Sequence, residues 1–169
     1  GGNKPQAVAL GDLDGDEFAD LAVASDSFDY VTVLRNHWDG TFAAQEQYNV
    51  GNAPRTTAVG YLDGDEFPDL AVANYSSNSV SVLLNRGDGK FAAHVQYGVG
   101  SLPYAVALGD LDGGNNADLA VTNSGSTNIY VSEVSDSVVE ENATSGAGEH
   151  GIYLANGGSD NTILRGNHC

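Results

Sequence analysis

Short apolar stretches separated by turn residues run through the first two thirds of the chain. In the first part, Gln6–Leu10 alternates in the two-residue period of a half-buried strand, and Asp20–Ala24 and Tyr30–Leu34 are short runs rich in Ala, Val and Leu. A fourth, more polar strand is predicted at Ala44–Val50, after a hairpin turn indicated by an Asp-Gly pair at residues 39–40. No window keeps a 3.6-residue apolar period, so the pattern predicts four strands and no long helix.

This pattern recurs every 49 residues without a gap, because the stretch that begins at Ala9 is repeated from Ala58 and, less completely, from Ala107. A period of about 40–50 residues with four short strands is typical of a β-propeller blade. Closed propellers have about four to eight blades. We therefore predict an all-β arc of about three four-stranded blades, completed by further blades in cis or on another chain. The propeller-type segment is predicted to cover 1–133, with units near 5–53, 54–102 and 103–133.

The pattern changes after the third unit, where the Asp-Gly turn does not recur. Ser137–Asn142 aligns with Thr162–Asn167 at a spacing of 25 residues, and the apolar run Gly151–Leu154 lies between them. Short apolar triplets closed by Asn and Gly suit the coils of a parallel β-helix. The segment 134–169 is therefore predicted to form a β-helix-like coil.

The charge of the chain excludes some functions. Six Lys+Arg against 23 Asp+Glu give a net charge of -17, which argues against the clustered basic residues of a nucleic-acid binder and against docking on an anionic membrane. No apolar run approaches the roughly 20 residues of a membrane-spanning helix. The one cysteine, Cys169, leaves no internal disulfide.

Twelve of the 23 acidic residues fall in three nine-residue windows, Asp12–Asp20, Tyr61–Asp69 and Asp110–Asp118. Close carboxylates near a protein surface repel one another by up to about 4 kcal/mol per pair. Ca²⁺, with six to eight oxygen ligands, relieves this repulsion, whereas Mg²⁺ demands a tighter octahedron and Zn²⁺ requires His or Cys. The flanks are predicted strands and Val23 stands where an EF-hand needs Glu, so these loops are not EF-hands. The alternative to calcium loops is solvated acidic turns.

Three motifs, Gly11–Ala24, Asn85–Phe91 and Tyr48–Pro54, resemble FG-GAP and VCBS repeats of integrin-α-like β-propellers, over roughly residues 2–132. The resemblance implies calcium binding by the loop aspartates. The family often has Gly where Glu17 and Glu66 stand, and a left-handed backbone there costs each Glu about 1–2 kcal/mol. The implied calcium ligands, including carbonyls of the two phenylalanines, are Asp12, Asp14, Asp16, Phe18 and Asp20; Asp63, Asp65, Phe67 and Asp69; and Asp110, Asp112, Asn116 and Asp118.

The expected function is a secreted or cell-surface calcium-binding module for adhesion, or for binding an extracellular protein or carbohydrate, without catalysis. The alternative is an accessory or catalytic part of a secreted polysaccharide-degrading enzyme, because segment 134–169 resembles pectate-lyase-like β-helices. Arg165 is the one basic residue of that segment, and no nucleophile motif is present, so the non-catalytic function is preferred. Arg86-Gly87-Asp88 spells the cell-attachment tripeptide and Trp38 could stack on a sugar, but a structural role in a turn is the simpler interpretation of both.

An arc of blades leaves strands at its ends with unpaired backbone groups. The strand near Ile129–Val131 is expected to be exposed, because its blade lacks a recognisable fourth strand. Net repulsion opposes association at low salt. Self-association is therefore expected to increase as calcium or salt lessens the repulsion.

Overall fold

The structure, a computed structural model, describes residues 4–110, 113–114, 116–124, 127–133 and 150–155. These residues form twelve β-strands in three four-stranded sheets, so the prediction of an all-β chain built from four-stranded units is confirmed. Asp112 and most of segment 134–169 lie outside the described residues. Within the described residues, no helix has the length and hydropathy needed to cross a lipid bilayer.

Each sheet, together with its loops, is called a blade below. Blade one contains β1 (Pro5–Gly11), β2 (Asp20–Ser25), β3 (Tyr30–Leu34) and β4 (Glu46–Asn49). Blade two contains β5 (Pro54–Gly60), β6 (Asp69–Asn74), β7 (Ser79–Leu83) and β8 (Val95–Gly98). Blade three contains β9 (Pro103–Gly109), β10 (Asp118–Asn123), β11 (Thr127–Glu133) and β12 (His150–Ala155).

Blades one and two are antiparallel meanders in sequence order. The register places Gly11 opposite Asp20 in blade one and Gly60 opposite Asp69 in blade two. Each acidic loop therefore starts after a glycine and closes on an aspartate in the paired strand.

Blade three departs from this order at its fourth strand. β12 runs parallel to β11, with Ile129 opposite Ile152. The prediction that the strand near Ile129–Val131 is an open edge is therefore wrong, because the apolar run in β12 pairs along it. The β-helix-like coil predicted for 134–169 falls on residues outside the described part, apart from β12, and stays a prediction.

The core lies between the faces of successive blades. Side chains alternate between the two faces of a strand, so β6 directs Leu70 and Val72 toward blade one and Ala71 toward blade three. All six residues of β6 are buried. Blade two is therefore a central layer, covered on both faces by its neighbours.

Close approach between the first strands of successive blades depends on glycine. A Cβ atom on Gly11 would lie 2.6 Å from Val59 Cγ1, and one on Gly60 would lie 2.9 Å from Leu108 Cδ1. Both distances are too short for real contacts. A larger residue at the end of β1 or β5 would therefore force the facing side chain of the next blade to shift.

We predict that Gly11→Ala lowers the free energy of unfolding by about 1–3 kcal/mol, because the added methyl group displaces the stiff Val59 side chain. Gly98→Ala is the matched control: Gly98 also lies in a strand, and nothing lies within 4 Å of a Cβ built on it. That control is expected to be neutral or stabilising by up to about 1 kcal/mol. Denaturant unfolding of both variants measures the difference, and equal losses would contradict the packing argument.

Candidate metal site

Three carboxylates converge in the acidic loop of blade one. Oxygen atoms of Asp12, Asp14 and Asp20 lie within 4.8 Å of one another, the one such group among the described residues. Asp12 follows β1 and Asp20 begins β2, so the antiparallel register brings the two ends of the loop together. The convergence brings three carboxylate oxygens within reach of one hard cation, which prefers oxygen ligands.

Asp12 also folds the loop. Its Oδ1 accepts hydrogen bonds from the backbone N–H groups of Gly15 and Asp16, at 2.7 and 3.0 Å, and its Oδ2 accepts one from Glu17 at 2.8 Å. These bonds wrap the backbone around the carboxylate. Gly15 and Glu17 then take positive φ angles of 81° and 71°, so Glu17 does adopt the left-handed conformation that costs a non-glycine residue about 1–2 kcal/mol.

The acidic loop of blade two bends differently. Gly64 is left-handed at φ 83°, whereas Glu66 is not among the described non-glycine residues with positive φ. Tyr61 stands in place of Asp12 and has no carboxylate to gather the loop N–H groups. Asp63 Oδ1 instead accepts a hydrogen bond from the N–H of Asp65 at 3.2 Å. The missing first aspartate therefore changes the backbone of the loop as well as its ligand set.

The last aspartate of the loop is buried and holds two loops at once. In blade one, Asp20 Oδ2 accepts a hydrogen bond from Leu13 N–H at 2.8 Å, and its Oδ1 accepts one from Asn36 N–H at 2.8 Å. In blade two, Asp69 makes the same pair of bonds with Leu62 and Asn85, at 2.9 and 2.8 Å. Asp20 and Asp69 are both fully buried. Each ties the acidic loop to the loop that follows the third strand.

Asp14 has an unsatisfied oxygen inside this arrangement. Its Oδ1 is buried without a hydrogen-bond partner. Burial raises the pKa of Asp14, the nearby carboxylates of Asp20, Asp16 and Asp12 raise it further, and Arg35 partly offsets them. Burial also raises the pKa of Asp20, against the lowering effect of its backbone hydrogen bonds. The site thus carries negative charge that nothing in the described protein fully compensates.

The other predicted ligands do not belong to this converging group. Asp16 lies outside the converging group, and its Oδ1 accepts a hydrogen bond from Phe18 N–H at 2.9 Å. Asp65 makes the same bond with Phe67 at 2.8 Å. The two phenylalanine side chains are exposed. They therefore lie at the surface beside their loops.

In the third loop, Asp110 Oδ1 accepts a hydrogen bond from Gly113 N–H at 2.6 Å, and Asp118 is buried. Asn116 faces the second loop, with its Oδ1 2.9 Å from where a Cβ on Gly64 would stand. Asp112 lies outside the described residues. The convergence of the third set is therefore not described.

Asn85 begins one of the sequence motifs, but its role as a link between blades was not predicted. Its Nδ2 donates to the carbonyl oxygen of Leu13, in the acidic loop of blade one, at 2.9 Å and to that of Pro68 at 3.0 Å. Asn36 stands 49 residues earlier at the same position of the repeat. That recurrence was an available signal. Asn85 links the first acidic loop to blade two.

Two arginines that no sequence motif predicts to have a role form contacts, one near the site and one far from it. Arg35 forms an ion pair with Glu46, and its Nη1 lies 3.5 Å from the carbonyl oxygen of Asp88. At the other end of β5 from the acidic loop, the guanidinium of Arg55 lies 4.7 Å from the centre of the Tyr75 ring and 5.1 Å from that of Tyr104. Such cation–π contacts are typical of a fixed guanidinium. Arg55 thereby joins side chains of blades two and three.

The two turn motifs singled out in the sequence are displayed at the surface. Arg86 and Asp88 are exposed, and Gly87 between them has a φ of 80°. Trp38, at the same position of the repeat as Gly87, is 78% exposed and also left-handed, at φ 58°. An exposed aromatic side chain in a conformation that favours glycine is a strained feature for which its own blade shows no packing reason.

Four-stranded sheets that repeat along the chain, with an aspartate-rich loop between the first and second strands, define a protein built from repeated blades. The chain belongs to the FG-GAP-like repeat family, whose model matches residues 12–72 and 61–121. Among solved structures, a chain of the Photorhabdus luminescens Tc holotoxin pore with the TccC3-D651A mutation is 23% identical at a TM-score of 0.43. The match covers 73% of this chain and 6% of the toxin chain. No curated protein sequence matches the chain.

Asp69 generates a prediction about pH. Burial raises its pKa from 3.8 to about 6, and Asp63 and Asp65 add to the effect. Between these values the folded chain binds more protons than the unfolded chain, so in a chelator the contribution of Asp69 to stability falls as pH rises from about 4 to about 7. The loss is on the order of 2–3 kcal/mol.

Denaturant unfolding of the wild type and Asp69→Asn at both pH values measures this loss. The stability advantage of the wild type over the variant should shrink as pH rises, because the amide does not titrate. Asp88→Asn removes an exposed charge from a different loop of the same blade and is the control for net charge. If the stability advantage of the wild type over Asp69→Asn instead grows with pH, the buried carboxylate is stabilised in its charged form without a cation.

Proposed function

We propose that the chain is a calcium-binding FG-GAP-like repeat module that acts outside the cell in adhesion or ligand binding, without catalysis. Two observations of one site carry the calcium assignment: Asp12, Asp14 and Asp20 converge, and the Oδ1 of Asp14 is buried without a partner. A carboxylate oxygen that is buried without a donor is costly unless a cation binds it.

The chemistry of the donors favours calcium over other metals. The group contains carboxylate oxygens alone, and neither Cys nor His belongs to it, which disfavours Zn²⁺. The loop is short and partly exposed, and water can supply the remaining ligands of the six to eight that Ca²⁺ takes. Extracellular calcium modules bind with dissociation constants of about 10⁻⁴–10⁻³ M, and we expect this range here.

Calcium at this site would act on more than one blade. The loop that supplies the ligands also supplies the Leu13 carbonyl that Asn85 binds from blade two. A Cβ on Gly89 would lie 2.7 Å from Asp14 Cβ and 3.0 Å from Arg35 Nη1. Since the loop around Gly89 belongs to blade two, an ion that fixes Asp14 would also fix the contact between the two blades.

The ligand-binding part of the proposal rests on surface features. The exposed, left-handed Trp38 offers a flat apolar face for a sugar or a protein side chain. The Arg86-Gly87-Asp88 turn displays one positive and one negative side chain on either side of a left-handed glycine. Both turns follow the third strand of a blade, at the end that carries the acidic loops. The polysaccharide-degrading alternative rests on segment 134–169, of which the structure describes β12, and it stays a hypothesis.

The experiment is thermal unfolding with calcium and with chelator. Calcium should raise the melting temperature of the wild type, because an ion bound by the folded state alone stabilises that state. Asp14→Asn should remove most of this increase. In chelator the same variant should melt at the wild-type temperature or above it, because it removes a buried charge beside other carboxylates.

Asp14→Asn is therefore expected to melt below the wild type in calcium but not in chelator. This difference distinguishes a calcium ligand from a residue that only supports the fold. Asp26→Asn, which removes a charge outside the acidic loops, is the matched control and should leave the calcium increase unchanged. No calcium-dependent shift in the wild type would contradict the proposal. A variant that loses stability equally in calcium and in chelator would show that Asp14 supports the fold without binding metal.

A further inference from the structure

A basic side chain lies beside the converging carboxylates of blade one. A Cβ atom built on Gly89 would stand 2.7 Å from Asp14 Cβ and 3.0 Å from Arg35 Nη1. The two side chains therefore meet at one point on the neighbouring blade. The Arg35 side chain is 20% exposed and Asp14 is half-buried, so solvent and salt screen the attraction between their charges only in part. In keeping with this, Arg35 opposes the rise in the pKa of Asp14.

Contacts with the protein hold Arg35 in this position. Its carbonyl oxygen accepts a hydrogen bond from the N–H of Ala43 at 2.7 Å. Its guanidinium forms an ion pair with Glu46, and the other carboxylate oxygen of Glu46 accepts a hydrogen bond from the Tyr48 hydroxyl at 2.7 Å. The positive charge of Arg35 therefore has a fixed place beside the carboxylates.

The internal repeat shows that this cation accompanies the fuller set of acids. Three charged residues of blade one are uncharged in blade two: the first acid of the loop, the base after β3 and the acid that pairs with the base. Asp12, Arg35 and Glu46 correspond, 49 residues later, to Tyr61, Leu84 and Val95. Among the described residues, the loop of blade one is also the one in which three carboxylates converge. The cation thus occurs in the blade whose loop carries the larger charge.

Two kinds of cation can offset the repulsion among these carboxylates. A guanidinium beside them lowers the repulsive energy without any metal. A divalent ion that enters the same group is attracted by the carboxylates, but the guanidinium repels it in proportion to its two charges. A fixed neighbouring cation therefore stabilises the empty loop and weakens metal binding at the same time.

We propose that Arg35 is the built-in counter-ion of the empty site and sets the affinity of that site for calcium. It offsets the charge of Asp14 and its neighbours when no ion is bound, and it raises the dissociation constant of a bound ion. Arg35 acts through the carboxylates and is a positioning residue, not a ligand. The inference rests on the calcium site proposed above and adds the residue that tunes it. With Arg35 in place, we expect a dissociation constant toward the weaker end of the extracellular range, about 10⁻³ M.

The first experiment is calorimetric titration of calcium into the wild type, Arg35→Leu and Arg35→Lys. Leucine is the residue that blade two has at this position. Arg35→Leu should lower the dissociation constant about tenfold, because the repulsion of the ion is removed. Arg35→Lys keeps the charge and should stay within about threefold of the wild type. An unchanged or higher dissociation constant for Arg35→Leu overturns the proposal.

The charge of the ion provides a signature that a purely structural role of Arg35 does not give. Repulsion by a fixed cation grows with the charge of the ion, so Arg35→Leu should lower the dissociation constant of trivalent Tb³⁺ by about thirtyfold where it lowers that of Ca²⁺ about tenfold. Equal changes for the two ions would overturn the electrostatic role. Arg35→Gln, which keeps a polar side chain, should change both constants in the same direction and shows that leucine itself is not the cause.

A matched control tests whether any lost cation has this effect. Lys90→Leu removes an exposed positive charge from the turn of blade two that lies against the acidic loop. It should change the calcium dissociation constant by less than about twofold at about 0.15 M salt, because solvent and salt screen an exposed charge. A decrease as large as that of Arg35→Leu would show a general charge effect and overturn the proposal.

A second experiment needs no metal. In chelator, Arg35→Leu should lower the melting temperature of the wild type more than that of Asp14→Asn, because the amide has no charge for Arg35 to offset. Equal losses in the two backgrounds overturn the counter-ion role. If this coupling is found but no variant binds calcium, the counter-ion role is supported, whereas the calcium assignment and the effect of Arg35 on affinity are overturned. Circular dichroism before melting checks that each variant is folded.

Discussion

In blades one and two, a buried carboxylate at the start of the second strand holds together the end of the blade that carries the acidic loop. Asp20 and Asp69 each accept backbone hydrogen bonds from two different loops. Hydrogen bonds to a charged group contribute about 1.5–3 kcal/mol, but the burial that makes them possible also raises the pKa of both residues. The carboxylate that orders the loops therefore also carries a buried negative charge, which a bound cation would neutralise.

The same constraint explains why the first loop differs from the second. In the first loop, three backbone N–H groups donate hydrogen bonds to Asp12, and Glu17 adopts a left-handed backbone conformation. With Tyr61 in that position, the strain at Glu66 is absent. The backbone strain at Glu17 thus depends on the hydrogen bonds that Asp12 accepts. It occurs in the loop where three carboxylates converge.

Packing between blades is directional for a comparable reason. The first strands of blades one and two each end in a glycine that receives a branched side chain from the next blade, and Asn85 of blade two reaches back to Leu13 of blade one. A unit of this kind has two different faces.

Much of this was predictable because repetition reinforces weak signals. The strands of blades one and two lie within two residues of their predicted bounds, and the acidic loop lies between the first and second strands as expected. The parallel partner of β11 was not predicted, since pairing with a strand so distant in sequence leaves no local pattern. Asp16 was predicted as a ligand, but its bond to Phe18 and its place outside the converging group depend on how the loop turns. The role of Asn85 likewise depends on which carbonyl the neighbouring blade presents.

The central claim is that calcium relieves buried carboxylates whose pKa values are raised. Calorimetric titration of calcium in two buffers of different ionisation enthalpy measures this directly, because a ligand that needs deprotonated carboxylates displaces their protons. The account predicts release of a fraction of a proton per ion at pH 5 from Asp14 and Asp20, whose pKa values are raised, falling toward zero at about pH 8. Binding heats that are the same in both buffers at pH 5, or the absence of any binding heat, would contradict it.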